Sequence, residues 1–116
     1  MSDQTQIPSP NRVVHEPARL AILVVLSSCN SADFVFLQRA TGLSKGNLSV
    51  QLSNLEKAGL IHIEKRLLDQ KARTIARISL RGKEEIASYW EMMEAIRSRM
   101  KVSKKGRPLR AAAAES

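Results

Sequence analysis

Thr41-Gly42-Leu43-Ser44-Lys45-Gly46-Asn47-Leu48-Ser49-Val50-Gln51-Leu52-Ser53-Asn54-Leu55-Glu56-Lys57-Ala58-Gly59-Leu60 is the stretch on which the reading of this chain turns. Gly42 adopts positive φ at little cost and suits a tight turn after a short helix. Ser44 stands where a helix N-cap would, its hydroxyl ready to accept from an orphan amide of the first turn. Leu48, Leu52 and Leu55 then recur at helical spacing and form one apolar stripe. The other side carries Lys45, Gly46, Asn47, Ser49, Val50, Ser53 and Lys57, which are mostly small, polar or basic. Gly59 closes the helix as a C′ glycine does. A helix with one buried stripe and a thin, hydrogen-bonding outer face can enter a major groove.

Upstream, Asp33 can cap a short helix over residues 34–41, with Phe34, Leu37 and Ala40 facing inward and the burial of Phe36 open. A brief extended segment at residues 32–34 fits the same residues, and its extent is not decided by the sequence. Before it, Glu16-Pro17 opens a first helix, Pro17 sitting where its missing amide costs nothing. Leu20, Ile22, Leu23, Val24, Val25 and Leu26 cover most of that helix's circumference, so it is expected to be buried on more than one side. Residues 11–15 read as a turn of helix. Residues 1–10, polar with two prolines, read as a disordered arm.

Downstream of Gly59 the period changes from helical to alternating. Residues 60–66 read as a strand, residues 67–71 as a connection with Asp69-Gln70 at its tip, and residues 73–78 as a second strand. Together they predict an antiparallel hairpin with Lys65, Arg66, Lys71 and Arg73 around its tip. Ser79 then caps a last helix over residues 80–100, along one side of which lie Ile86, Trp90, Met93, Ile96 and Met100. Such a helix is a rod of about 30 Å, longer than so small a domain needs for itself. Residues 101–116, basic and then alanine-rich, read as a disordered tail.

Composition narrows the function. A chain of 116 residues is one domain at most. With 43% apolar but only 3% aromatic residues, its core must be aliphatic. The net charge of +8 points to an acidic partner such as nucleic acid. Half of that excess lies in residues 101–116, and the rest coincides with residues 45–77, the candidate reading helix and hairpin. One cysteine, Cys29, rules out an internal disulfide and fits a reducing compartment; at a helix end it reads as a small inert hydrophobe. No apolar run approaches the roughly 18 residues of a membrane span, so a cytoplasmic location is expected. His15 and His62 lack metal-ligand spacing, and Glu84, Glu85, Glu91 and Glu94 read as a solvated face with ion pairs. With neither a nucleophile-and-base constellation nor a glycine-rich phosphate loop, no enzyme, metal or cofactor is expected.

Three helices, a two-stranded hairpin and a fourth helix make the layout of a winged helix-turn-helix domain: mainly α with a small β-hairpin. The residues carry the likeness further. His15-Glu16-Pro17-Ala18-Arg19-Leu20-Ala21-Ile22-Leu23 resembles the opening helix of ArsR-type repressors. Residues 43–61 resemble the recognition-helix-to-strand passage of MarR/ArsR-like regulators. Ile78-Ser79-Leu80-Arg81-Gly82 is similar to the point where those families place a hydrophobic residue, a capping Thr or Ser and a glycine two residues beyond. The resemblance covers about residues 12–95 and is to small single-domain winged-helix transcriptional regulators. It implies a domain that binds double-stranded DNA as a homodimer, third helix in the major groove and wing along the backbone or minor groove. The chain departs from the ArsR metal sensors, since Phe36-Leu37-Gln38-Arg39-Ala40-Thr41-Gly42 holds no thiolate or imidazole. It is also too short for the full set of end helices that enclose a ligand cleft in MarR proteins, so metal or small-molecule sensing is not implied and any effector is unknown.

In that frame Ser44, Lys45, Gly46, Asn47, Ser49, Val50, Ser53 and Lys57 are the expected DNA-facing residues of the recognition helix. Asn47 suits adenine, Lys45 guanine and Val50 a thymine methyl, while Gln51 and Asn54 flank the face and are placed for phosphate. Lys65, Arg66, Lys71 and Arg73 are the expected wing contacts. Ile86, Trp90, Met93, Ile96 and Met100 are expected to pair two copies, which would call for a near-palindromic site. Two other classes fit parts of the sequence: a winged helix that binds proteins through its last helix, and a nonspecific nucleic-acid binder driven by the basic tail.

Overall fold

The computed structural model describes residues 12–106. They fall into two units, residues 12–89 and residues 90–106. The arm expected over residues 1–10 and the tail beyond residue 106 lie outside the described residues.

The first unit opens with a turn over residues 12–14. Helix α1 (Pro17–Cys29) starts at Glu16, whose carboxylate accepts from the Arg19 amide at 2.8 Å, with Pro17 in the first turn as expected. It ends at Asn30, whose φ of 70° is one that asparagine tolerates better than most residues. The chain then reverses into β1 (Ser31–Asp33), which resolves the open question of an extended segment there. Asp33 closes β1 and caps α2 (Phe34–Thr41), its Oδ1 accepting from the Phe36 amide at 2.8 Å. Gly42, at φ 75°, supplies the left-handed turn into α3 (Lys45–Lys57).

The wing is longer than the sequence predicted. Strand β2 runs Ile61–Leu68 and β3 runs Lys71–Ile78, with only Asp69 and Gln70 between them. Both turn residues have positive φ, 51° and 62°, as a type I′ hairpin requires. β3 also pairs with β1 (Ser31↔Arg77, Ala32↔Ala76, Asp33↔Ile75), so the hairpin belongs to a three-stranded antiparallel sheet in the order β1-β3-β2.

The core is aliphatic, as composition required. Val14, Ala18, Ile22, Leu23 and Leu26 from the N-terminal turn and α1 meet Leu37 of α2, the α3 stripe, Leu60, Ile61, Ala76, Ile78 and Ile86; Tyr89 is the one buried aromatic among the described residues. None of the described buried residues is polar or charged. Ala40, expected inward, is exposed: on so short a helix Leu37 alone is fully covered, and Phe36 is also turned to solvent.

Helix α4 (Leu80–Gly106) begins where expected, with Ser79 Oγ accepting from the Gly82 amide at 2.9 Å, and runs past residue 100 to Gly106. Gly82 is required there. A Cβ at that position would meet the Leu60 carbonyl oxygen and come within 2.8 Å of Ile78 Cγ1. Gly82→Ala is therefore expected to lower stability by about 1–3 kcal/mol through overpacking, against a gain of about 1 kcal/mol in helix propensity. A urea midpoint unchanged from wild type would show that the α4 start yields freely.

Candidate functional site

Helix α3 is fixed at both ends and along one side. At its start Ser44 Oγ accepts from the Asn47 amide at 3.1 Å. At its end Gly59, φ 79°, donates to Glu56 O at 3.0 Å while Leu60 donates to Leu55 O at 3.0 Å, the two reciprocal bonds of a Schellman motif. Leu48, Leu52 and Leu55 are buried. These constraints leave Ser44, Lys45, Gly46, Asn47, Ser49, Val50 and Lys57 exposed, Val50 at 56%, whereas Ser53 is half-buried and recedes from the face it was expected to join. Gly46 has nothing within 4 Å of where a Cβ would stand. Packing does not demand a glycine there, so its effect is to keep the helix surface thin. No acidic residue lies in the first turn of α3, and the partial positive charge of its free amides together with Lys45 favours an anion at that end.

Sequence reasoning missed one contributor to this face. Arg19 of α1 donates from Nη1 to Gln51 Oε1 at 2.9 Å, and Gln51 Nε2 donates in turn to Asn47 Oδ1 at 3.0 Å. Gln51 is thus engaged inside the protein. Nothing in local sequence marks a pair 32 positions apart.

The wing separates its four expected bases by face. Residues paired across the strands share a side, so Lys65 with Thr74 continues the side of Ile61, Ile63, Ala76 and Ile78. Arg66, Lys71 and Arg73 lie on the opposite side with Glu64 and Arg77. There the arginines are partnered: Arg66 with Glu64 at 2.7 Å, Arg77 with the same carboxylate at 3.8 Å, and Arg73 with Asp33 at 3.4 Å. The hydrogen bond from Arg66, helped by the charges of Arg66 and Arg77, holds the Glu64 carboxyl below the ordinary carboxylate range and raises the Arg66 guanidinium in return. Lys65 and Lys71 form no ion pair with any described residue. Leu67 and Leu68 extend the apolar content to the tip, both exposed.

In the second unit, residues 90–106 form one helical run, with Arg97 bonded to Glu94 at 3.1 Å. Trp90 (49% exposed) and Met100 are open to solvent, while Met93 and Ile96 are half-buried. Ile86, expected on the pairing stripe, is only 4% exposed in the single chain; its side chain is already taken up in the fold. Cys29 is exposed, its thiol 3.3 Å from Val25 O. His15 bonds Tyr89 OH through Nδ1 at 3.1 Å. Among the described residues no cluster of His, Cys, Asp or Glu could hold a metal ion, and no helix is long and apolar enough to cross a membrane.

Residues 18–97 match the family model of the winged helix DNA-binding domain. The chain is 26% identical over 78 residues to an uncharacterized protein of Methanocaldococcus jannaschii, covering 67% of this chain and 85% of that one. Its fold is similar to that of the transcriptional regulator homologue protein from Pyrococcus horikoshii, with a TM-score of 0.74, 28% identity, and 78% and 89% of the two chains covered. It also resembles a MarR-family transcriptional regulator from Silicibacter pomeroyi, with a TM-score of 0.59, 21% identity, and 77% and 59% covered. This last likeness is one of fold alone.

The two lysines without ion pairs can meet phosphate without giving up a partner. Replacing Lys65 and Lys71 together by Ala is expected to weaken binding to every duplex and to flatten the dependence of log K on log salt, by up to about 0.9 for each phosphate no longer neutralised. A salt slope equal to wild type would mean that the wing stands clear of DNA.

Proposed function

The chain belongs to the winged helix DNA-binding domain family, and on that premise we propose that it is a sequence-specific, cytoplasmic transcriptional regulator that binds DNA as a homodimer. The observation that carries this reading is α3. Its leucines are buried and both its ends are fixed, so Ser44, Lys45, Gly46, Asn47, Ser49 and Val50 are presented on a rigid, thin surface. That surface enters the major groove. Lys45 and Asn47 read base edges, Val50 meets a thymine methyl, and Ser44 and Lys57 serve the backbone. On the wing, Lys65 and Lys71 are the cations that need give up no ion pair to meet phosphate, with Arg66 and Arg73 available once they leave their carboxylates.

Asn47→Ala tests the base reading. It is expected to weaken binding to the selected site by about 1–3 kcal/mol while changing affinity for random duplex little, as measured by competition titration. Equal losses on both DNAs would reassign Asn47 to backbone contact.

The homodimer rests on the terminal helix. Trp90 and Met100 are exposed and Met93 and Ile96 half-buried in the single chain, at spacings that place them along one side. Full burial of each such side chain contributes about 1.5–3 kcal/mol, enough in two copies to offset the cost of association. A two-fold pair sets two α3 helices about one DNA turn apart and calls for a near-palindromic site. In sedimentation the wild type is expected to be dimeric at micromolar concentration and a Met93→Glu, Ile96→Lys double variant monomeric. A wild-type monomer that occupies a single half-site with full affinity would sink the dimer.

A further inference from the structure

We propose that Arg19, on α1 and outside the reading face, is a positioning residue for specificity: acting through Gln51, it dictates which end of the Asn47 carboxamide faces the bases. This rests on the reading of α3 as the groove helix and deepens it.

Arg19 is held from three directions. Its backbone amide donates to Glu16 Oε1 at 2.8 Å, its Nε to Val13 O at 2.6 Å and its Nη1 to Gln51 Oε1 at 2.9 Å. A guanidinium has donors and no acceptor, so Gln51 must turn its oxygen towards Arg19. Its NH2 is thereby aimed the other way, and it donates to Asn47 Oδ1 at 3.0 Å. Asn47 in turn must offer oxygen inward, which leaves its own NH2 for the exterior. A carboxamide on a solvated helix would flip freely between donor-out and acceptor-out. Here the polarity of the whole chain is set by the one member that can only donate. Asn47 therefore presents N–H to the groove and selects an acceptor edge, such as guanine O6 or N7, adenine N7 or thymine O4, over the amino group of cytosine.

The relay also gives Gln51 a specific task. A glutamate in its place would still accept from Arg19 but has no proton for Asn47 Oδ1. Asn47 would then reverse, give its NH2 to the carboxylate and turn its oxygen outward.

The test is selection of sites from a randomised duplex pool by the full chain, its Arg19→Met variant and its Gln51→Glu variant, with folding checked by thermal melting. In Arg19→Met the preference at one base position of the site should fall by about fivefold or more while the remaining positions keep theirs. In Gln51→Glu that same position should change to a donor-bearing base. The side-chain amide resonances of Asn47 in the DNA-free protein give a second reading, and Arg19→Met should shift them. Folded variants that keep every wild-type preference within about twofold and leave the Asn47 amide unmoved would overturn the proposal. If the wild type enriches no sequence, base reading by α3 fails instead, and the DNA-free amide signals still decide for or against the relay.

Discussion

Ser79 Oγ donates to the Gly59 carbonyl at 2.8 Å and accepts from the Gly82 amide at 2.9 Å, while the Ser79 amide donates to Leu60 O at 3.0 Å. Around one residue, then, the turn from α3 into β2 is bonded to the passage from β3 into α4. Gly82 lets the backbone of α4 lie directly against Leu60. Bonds made by backbone atoms and a hydroxyl on a single side-chain torsion have less slack than those of long side chains, which have several torsions to take up a displacement. The angle between α3 and the wing is consequently tied to the hydrogen bonds among residues 59–60 and 79–82. The α3 leucine stripe decides which face is outward; this junction decides where that face is aimed.

Charge is distributed to match. None of the described buried residues is charged, so the carboxylates and bases are held at the surface, beside solvent and one another. On one side of the wing, the arginines of the Arg66↔Arg73 pair are each offset by a carboxylate, Arg66 by Glu64 and Arg73 by Asp33. Exposed ion pairs of this kind contribute little to stability, about 0–1 kcal/mol, but they set which cations are already engaged. Asp33 does two jobs. Its Oδ1 caps α2 and its Oδ2 faces Arg73, so the first helix of the helix-turn-helix and the wing share one carboxylate.

Much of this was legible in the sequence because it is encoded by residues with few alternatives. Pro17, Asp33, Ser44 and Ser79 mark helix starts, Gly42 and Gly59 mark positive φ, and Leu48, Leu52 and Leu55 mark the buried stripe. What was not legible depends on tertiary context. The sequence leaves an extended segment at residues 32–34 open, and Ser31–Asp33 becomes β1 because β3 offers a second edge there. The sequence marks Asp69-Gln70 as the tip, but that the turn is these two residues alone was hidden, because Gln70 gives no sign of its φ of 62°, which glycine or asparagine would have announced. The extension of α4 over Lys104-Lys105-Gly106 was masked by a composition that reads as tail. The Arg19–Gln51–Asn47 chain could not be found by periodicity, since its first member sits on another helix.

The three residues of β1 have a further consequence. By pairing with β3 they bring residues 31 and 77 together, and α2, α3 and β2 all lie inside the loop so closed. The hairpin and the helices are local and can form and dissolve within microseconds, but this closure is opposed by chain entropy until core packing rewards it. The native packing around α3 therefore has to offset a closure cost that the local hairpin and helices do not carry. A partly unfolded chain has the residues of the exposed α3 face but not their arrangement, so presentation of that face is coupled to completion of the fold. Damage to β1, which lies outside α3, would act on that face by depleting the folded population while every α3 side chain kept its identity.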